Sequence, residues 1–116
     1  MRKLVFYMLL ATLSSQVYSG WENTKGKVVS INNYAHTDTV LVKLSSPGVS
    51  VEACESKDYF AIDGNLPESR RNQMFTVLLA AKASDKEVTI AYDNTGNCIA
   101  YGNNPSVYRG ILRIIH

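Results

Sequence analysis

Apolar and polar residues alternate along several short stretches of this chain, and each such stretch predicts a β-strand. A period of two residues is found at residues 27–35, 39–44 and 87–92, and residues 107–115 predict a last strand because they are rich in β-branched residues. Residues 49–54 and 59–62 predict a broken third strand, because a charged stretch separates them. The compact polar turn at residues 36–38 joins the first two strands, so we expect them to form an antiparallel hairpin.

One helix is predicted at residues 67–83, where the apolar spacing changes to three or four residues. Pro67 suits a first helical turn, and Glu68 suits the positive end of the helix dipole. The residues that recur at helical spacing are Met74, Phe75, Leu78, Leu79 and Ala81. A lone helix between the third and fourth strand segments cannot build a doubly wound sheet, which needs alternating strands and helices. We therefore predict a mainly β fold with one α-helix, a small five- to six-stranded antiparallel barrel like the oligonucleotide- and oligosaccharide-binding (OB) fold.

The start of the chain has the three zones of a cleavable secretory signal. Positive residues Arg2 and Lys3 precede an apolar run of about ten residues, which small or polar residues follow. A retained anchor is the alternative, but a spanning helix needs roughly twenty apolar residues. We expect cleavage after Ser19, with residues 1–19 removed as a signal peptide and residues 20–116 forming a single secreted or periplasmic domain.

Removal of the signal changes the charge of the protein. The full sequence has twelve basic and ten acidic residues, and two of the basic residues lie within the predicted signal. The mature domain is therefore expected to be neutral. It lacks the basic surface typical of nucleic-acid binding and the polybasic face of a membrane-surface binder, so we predict no nucleic-acid partner and no membrane insertion.

Cys54 and Cys98 are the only cysteines of the chain. An oxidising compartment, an even count and the absence of a Cys-x-x-Cys spacing favour a structural disulfide. A zinc site is the alternative, but the two cysteines and two histidines do not have the spacing of metal ligands. We predict a disulfide between Cys54 and Cys98, and no metal site.

The sequence offers little for catalysis. His36 lies in a predicted turn and His116 is the final residue, so we do not expect packing to hold either as a general base. The acidic residues around Cys54 are Glu52, Glu55, Asp58 and Asp63. We interpret them as ordinary surface charge. The alternative is that they bind a cation or a substrate. Glycine-rich phosphate loops are missing from the sequence. We therefore predict that the protein is not an enzyme and binds no cofactor. A small secreted hydrolase is the less favoured hypothesis.

Polar and aromatic residues in the predicted loops are suited to binding sugars. Aromatic faces stack on sugar rings, and amide and hydroxyl groups pair with sugar hydroxyls. The candidate glycan-binding residues are Trp21, Asn23, Thr24, Tyr34, Tyr101 and Asn103. Each also has a purely structural interpretation, such as packing of Trp21 on the flank of the barrel or an ordinary turn at residues 102–105.

Two segments resemble a known family. One is the amphipathic helix that runs directly into the strand Glu87-Val88-Thr89-Ile90-Ala91-Tyr92, and the other is Trp21 followed closely by Lys27-Val28-Val29-Ser30-Ile31. Both are similar to the binding (B) subunit of the subtilase cytotoxin and of related typhoid-type toxins. The resemblance implies an OB-type barrel in a homopentameric ring that binds sialylated or other cell-surface glycans and carries a catalytic A subunit.

Two hypotheses for the function follow. The first is an exported glycan-binding B subunit of a bacterial toxin or toxin-like protein, which forms a ring and recognises cell-surface sugars. The alternative is a stand-alone periplasmic or secreted OB-like binding protein with an unknown ligand and no toxin partner.

Overall fold

Six strands and one helix make up residues 20–116, the part of the chain that the computed structural model describes. In chain order they are β1 (Trp21–Asn32), β2 (Val40–Leu44), β3 (Tyr59–Ile62), α1 (Glu68–Ala83), β4 (Glu87–Asp93), β5 (Ile99–Tyr101) and β6 (Asn104–Ile115). The predicted signal peptide, residues 1–19, lies outside the described residues. The predicted helix and the antiparallel pairing of the first two strands are confirmed.

Five of the strands close into a ring. The antiparallel pairings run from β3 through β2, β1 and β4 to β6, and a parallel pairing of β3 with β6 completes the circle, with Phe60 opposite Arg109. The short strand β5 pairs only with β6 and stands outside the ring. A closed five-stranded barrel with its helix between β3 and β4 has the OB topology, and this confirms the predicted fold class.

Strand β1 begins six residues earlier than its apolar alternation predicts. Its inward positions in this first half are Thr24 and Gly26, both buried, so the core side of the strand is polar or small in the sequence. The chain passes close to the end of β2 there, since a Cβ atom on Gly26 would lie 2.7 Å from the Ser45 hydroxyl oxygen and 3.0 Å from the Ser46 backbone nitrogen. A register shift between Val28 and Ser30 marks a bulge where β1 changes partner from β4 to β2.

Helix α1 contacts β1, β3 and β4 and covers the barrel through a narrow apolar stripe. Leu78 and Ala81 are fully buried in the core, and Met74 and Phe75 are partly buried against it. Leu79 is 49% exposed, so it lies outside the stripe to which its spacing assigns it. Within residues 20–116, no helix has both the length and the apolar character needed to cross a membrane.

The long loop between β2 and β3 replaces the strand predicted at residues 49–54. Val49 is 61% exposed, and its backbone groups bond to a side chain instead of a neighbouring strand. Its N–H donates to the Tyr92 hydroxyl at 2.7 Å, and that hydroxyl lies 3.3 Å from the Val49 carbonyl oxygen. The apolar character of this segment therefore comes from single anchoring residues, such as the buried Val51, and not from a strand.

The predicted disulfide is present between Cys54 and Cys98, whose Cα atoms are 5.6 Å apart. Cys54 lies in the β2–β3 loop and Cys98 immediately precedes β5. The bridge thus joins two loops that are 44 residues apart in the chain. It fixes the entry of the chain into β5, which matters for the site described below.

A buried arginine holds the same β2–β3 loop from inside the barrel. Arg109 of β6 has no exposed surface, and its guanidinium donates to the carbonyl oxygens of Pro47, Val49 and Lys57. The guanidinium carbon lies 4.1 Å from the ring centroid of Phe60, in cation–π geometry. Burial lowers the pKa of Arg109, and among residues 20–116 no carboxylate forms a salt bridge with it.

Candidate functional site

Four aromatic side chains from three parts of the chain meet beside the β1–β2 loop. Tyr34 and His36 belong to that loop, Tyr101 ends β5, and Tyr108 lies on β6. Tyr108 alternates with the buried residues Val107 and Arg109, so its side chain is on the outer side of the barrel. We refer to Tyr34, His36, Tyr101 and Tyr108 as the aromatic cluster.

The rings of the aromatic cluster are in contact at tilted or edge-to-face angles. The Tyr34 and Tyr101 centroids are 6.2 Å apart, and the His36 centroid is 5.9 Å from both of them. Tyr101 also meets Tyr108 at 5.5 Å with an interplanar angle of 82°. These are favourable geometries for aromatic pairs, and they leave ring faces and edges at the surface, where Tyr34 is 43% exposed.

A polar groove of about 510 Å³ lies next to the aromatic cluster and shares His36 with it. Three segments form its walls: the β1–β2 loop, the turn that follows β3, and the start of β5. The lining residues are His36, Thr37, Asp38, Thr39, Asp63, Gly64, Asn65, Cys98, Ile99 and Ala100. The groove and the aromatic cluster together form one continuous surface, which we take as the candidate site.

Local hydrogen bonds fix the shape of the groove. Thr39 donates its backbone N–H to the Thr37 hydroxyl oxygen at 3.1 Å, and its own hydroxyl oxygen accepts from Gly64 N–H at 3.3 Å. The Asp63 oxygen Oδ1 accepts from Asn65 N–H at 2.9 Å, an Asx turn. Gly64 must be glycine, because a Cβ atom would lie 2.9 Å from the Thr39 nitrogen. The two loops therefore hold each other in place.

The environment of the aromatic cluster raises the pKa of one of its phenols, that of Tyr108. Burial, followed by the neighbouring phenols of Tyr101 and Tyr34, raises the pKa of Tyr108 above its ordinary value of 10.0. Tyr108 is therefore a hydroxyl at neutral pH, able to donate and to accept hydrogen bonds. The cluster presents hydroxyl groups beside aromatic surface.

Two of the predicted glycan-binding residues, Tyr34 and Tyr101, come together in this site although 66 residues separate them in the sequence. Asn103 is exposed in the turn between β5 and β6, two residues beyond Tyr101. Gly102 beside it has φ +62°, the left-handed conformation that allows this tight turn. The predicted turn is therefore confirmed at residues 102–103, whereas Asn104 and Pro105 already belong to β6.

The other three predicted residues lie elsewhere. Trp21 is 48% exposed at the start of β1, where the Arg113 guanidinium carbon lies 4.9 Å from its ring centroid. Asn23 is exposed on the same strand, opposite Ala91 of β4. Thr24 is buried, and its hydroxyl donates to the Ser46 carbonyl oxygen at 3.1 Å. Trp21 and Asn23 thus belong to the outer surface at the other end of β1, and the Thr24 hydroxyl is occupied within the barrel.

Several residues of the candidate site escape sequence reasoning. His36 is exposed, as its position in a turn predicts, yet its ring contacts Tyr34 and Tyr101. Tyr108 falls within the last predicted strand, and the sequence predicts Asp63 to be an ordinary surface charge. The signal that identifies them is topological, since the β1–β2 loop and the β5 region meet only when the barrel is closed.

The described part of the chain contains no group of three or more His, Cys, Asp or Glu residues arranged to hold a metal ion. Comparisons of the chain with models of known protein families, with curated protein sequences and with solved structures find no match.

Proposed function

We propose that this protein is an exported sugar-binding domain and that the aromatic cluster with its adjoining groove is the binding site. The observation that carries the proposal is the juxtaposition of the exposed Tyr34 ring and the half-buried Tyr101 ring with a groove of hydroxyl, amide and carboxylate groups. Sugars have apolar C–H faces and a rim of hydroxyls, so they require this combination. In OB-type barrels the β1–β2 loop is one of the usual places for an oligosaccharide or an oligonucleotide.

Charge favours a sugar over a nucleic acid at this site. Stacking of bases on aromatic rings is common in OB barrels, but it is accompanied by a positive groove that follows the phosphates. Here the groove contains Asp38 and Asp63 and no lysine or arginine. Phosphates beside these carboxylates lose affinity by charge repulsion, whereas sugar hydroxyls gain hydrogen bonds.

The proposal extends to export, assembly and partner. The predicted signal peptide and the disulfide support a secreted or periplasmic protein, because disulfides persist in oxidising compartments. On the basis of the toxin-family resemblance, we further propose that five copies form a ring that carries a catalytic A subunit. Weak sugar sites on one ring would then bind a surface together, because the first contact raises the effective concentration for the others. Molar mass in solution separates this ring from the alternative of a stand-alone binding protein, for which a monomer is expected.

Loss of the Tyr34 or the Tyr101 side chain should weaken sugar binding without unfolding the protein. We expect Tyr34→Ala and Tyr101→Ala to lower affinity for the best sugar on a glycan array by about tenfold, the size typical of a lost stacking platform. The array is probed with the protein as exported by cells that express the full chain. Affinity for the selected sugar is then measured by calorimetry.

Trp21→Ala is the matched control, since Trp21 is about as exposed as Tyr34 but lies at the other end of β1. This variant should bind within about twofold of the wild type. A Trp21 variant that loses binding while both tyrosine variants retain it moves the site to the β1–β4–β6 face. Absence of binding to every sialylated and neutral sugar on the array contradicts the proposed function.

A further inference from the structure

We infer that the groove selects neutral, hydroxyl-rich sugars and disfavours glycans that end in sialic acid. The inference rests on the proposed function and names the ligand class of the same site. Its basis is the balance of charge and of hydrogen-bonding groups along the groove beside the aromatic cluster.

Two carboxylates that line the groove have oxygens free to accept hydrogen bonds from a ligand. The Asp38 side chain is 71% exposed and accepts no hydrogen bond shorter than 3.5 Å from the residues that the structure describes. Asp63 uses Oδ1 for the Asn65 N–H, which leaves Oδ2 for a ligand. The hydroxyl groups of a neutral sugar supply the donors that carboxylates need, whereas the carboxylate of sialic acid is itself only an acceptor.

Arg71 and Lys57 are not among the residues that line the groove, and each has contacts of its own. Arg71 lies on the far side of Asp38, where its nitrogen NH2 is 4.0 Å from an Asp38 oxygen and its Nε donates to the Leu66 carbonyl. Lys57 donates to the carbonyl oxygens of Val51 and Cys54. The lining of the groove therefore presents two carboxylates and no lysine or arginine to a sialic acid carboxylate, and Arg71 lies beside Asp38 outside this lining.

Lys43 does not change this balance. Its ammonium nitrogen lies 5.9 Å from the ring centroid of Tyr59, on the β2–β3 pair, and Lys43 is not among the residues that line the groove. The charged side chains that line the groove are therefore the two carboxylates, Asp38 and Asp63.

The test compares glycan pairs that differ only in a terminal sialic acid, such as lactose and 3′-sialyllactose presented at equal density on one carrier protein. At pH 8 and low salt, we expect the exported protein to bind the neutral member with about tenfold higher affinity than the sialylated member. Asp38→Asn and Asp63→Asn should each reduce this ratio, because an amide keeps the shape and an acceptor oxygen but removes the charge. Addition of 0.5 M salt, on the order of the concentration that screens exposed charges, should reduce the ratio in the wild type.

Glu87→Gln is the matched control, because Glu87 is an exposed carboxylate on β4 that pairs loosely with Lys25 at 3.9 Å. Its neutral-to-sialylated ratio should equal that of the wild type. Preference for the sialylated member overturns this inference and leaves the proposed function intact. Equal binding of both members, unaffected by salt or by the two Asp→Asn changes, overturns the inference as well. Absence of binding to every glycan pair overturns the proposed function together with the inference.

Discussion

Reduction of the Cys54–Cys98 disulfide is expected to lower the free energy of unfolding by about 4 kcal/mol, the value that the chain-entropy model gives for a loop of this length. Because a domain of this size is stable by only about 5–15 kcal/mol, the loss is a large fraction of the total. The effect should reach the site too, since Cys98 lines the groove and precedes β5. Urea titration followed by circular dichroism, with and without a reductant, measures the change in unfolding energy.

The double variant Cys54→Ala with Cys98→Ala separates the bridge from side effects of the reductant. It should unfold near the urea concentration of the reduced wild type, and a reductant should not shift it further. Sugar affinity should fall in the reduced protein under conditions where it is still folded. An unchanged urea midpoint after complete reduction, verified by two titratable thiols, is incompatible with this expectation.

Replacement of Arg109 by methionine is expected to cost about 3 kcal/mol of unfolding free energy. A buried ion pair can often be exchanged for apolar groups without loss, but here the partners are backbone carbonyls that no substitution removes. Arg109→Met leaves the carbonyls of Pro47 and Lys57 without their side-chain donor, and it leaves the Val49 carbonyl with only the Tyr92 hydroxyl. Arg109→Lys should be intermediate, because one ammonium retains the charge but lacks the planar fork that spans these carbonyls.

Arg113→Met is the control for this change. Arg113 lies on the same strand and stacks on an aromatic ring, but it is exposed, so its loss should cost only about 0.5 kcal/mol. Equal urea midpoints for the Arg109→Met and Arg113→Met proteins would show that the β2–β3 loop does not depend on the buried guanidinium.

Parts of the fold are predictable from the sequence because local patterns determine them. The helix at residues 68–83 and the strand at 87–93 agree with their predicted bounds within one residue, since the periods of their apolar residues are unambiguous. The first half of β1 is not predictable in this way, because Thr24 and Gly26 fill its core side. Strand β6 likewise begins before its apolar run, since the Asn104-Pro105-Ser106 segment has the composition of a turn.

The candidate site is less accessible to sequence reasoning than the fold. Aromatic residues in loops are visible in the sequence, and Tyr34 and Tyr101 were identified on that basis. Their contact depends on barrel closure, which brings together segments that no local pattern connects. Trp21 has the same character in the sequence but lies elsewhere, so composition alone does not separate a member of the site from an exposed aromatic residue outside it. Arg109 gives no sequence signal, because a charged residue in a strand is ordinarily interpreted as facing solvent.

The closure of the ring by β6 also has a consequence for the timing of folding. The pairings of β1 with β4 and of β3 with β6 join residues such as Trp21 and Asp93, or Ala61 and Gly110, that are far apart in the chain. Such high contact order is typical of domains that fold in milliseconds to seconds. The native barrel cannot form before β6 has been synthesised, so a growing chain is kept from closing early. The export proposed above would benefit from this delay, because the ring closes only when β6 is available to pair with both β3 and β4.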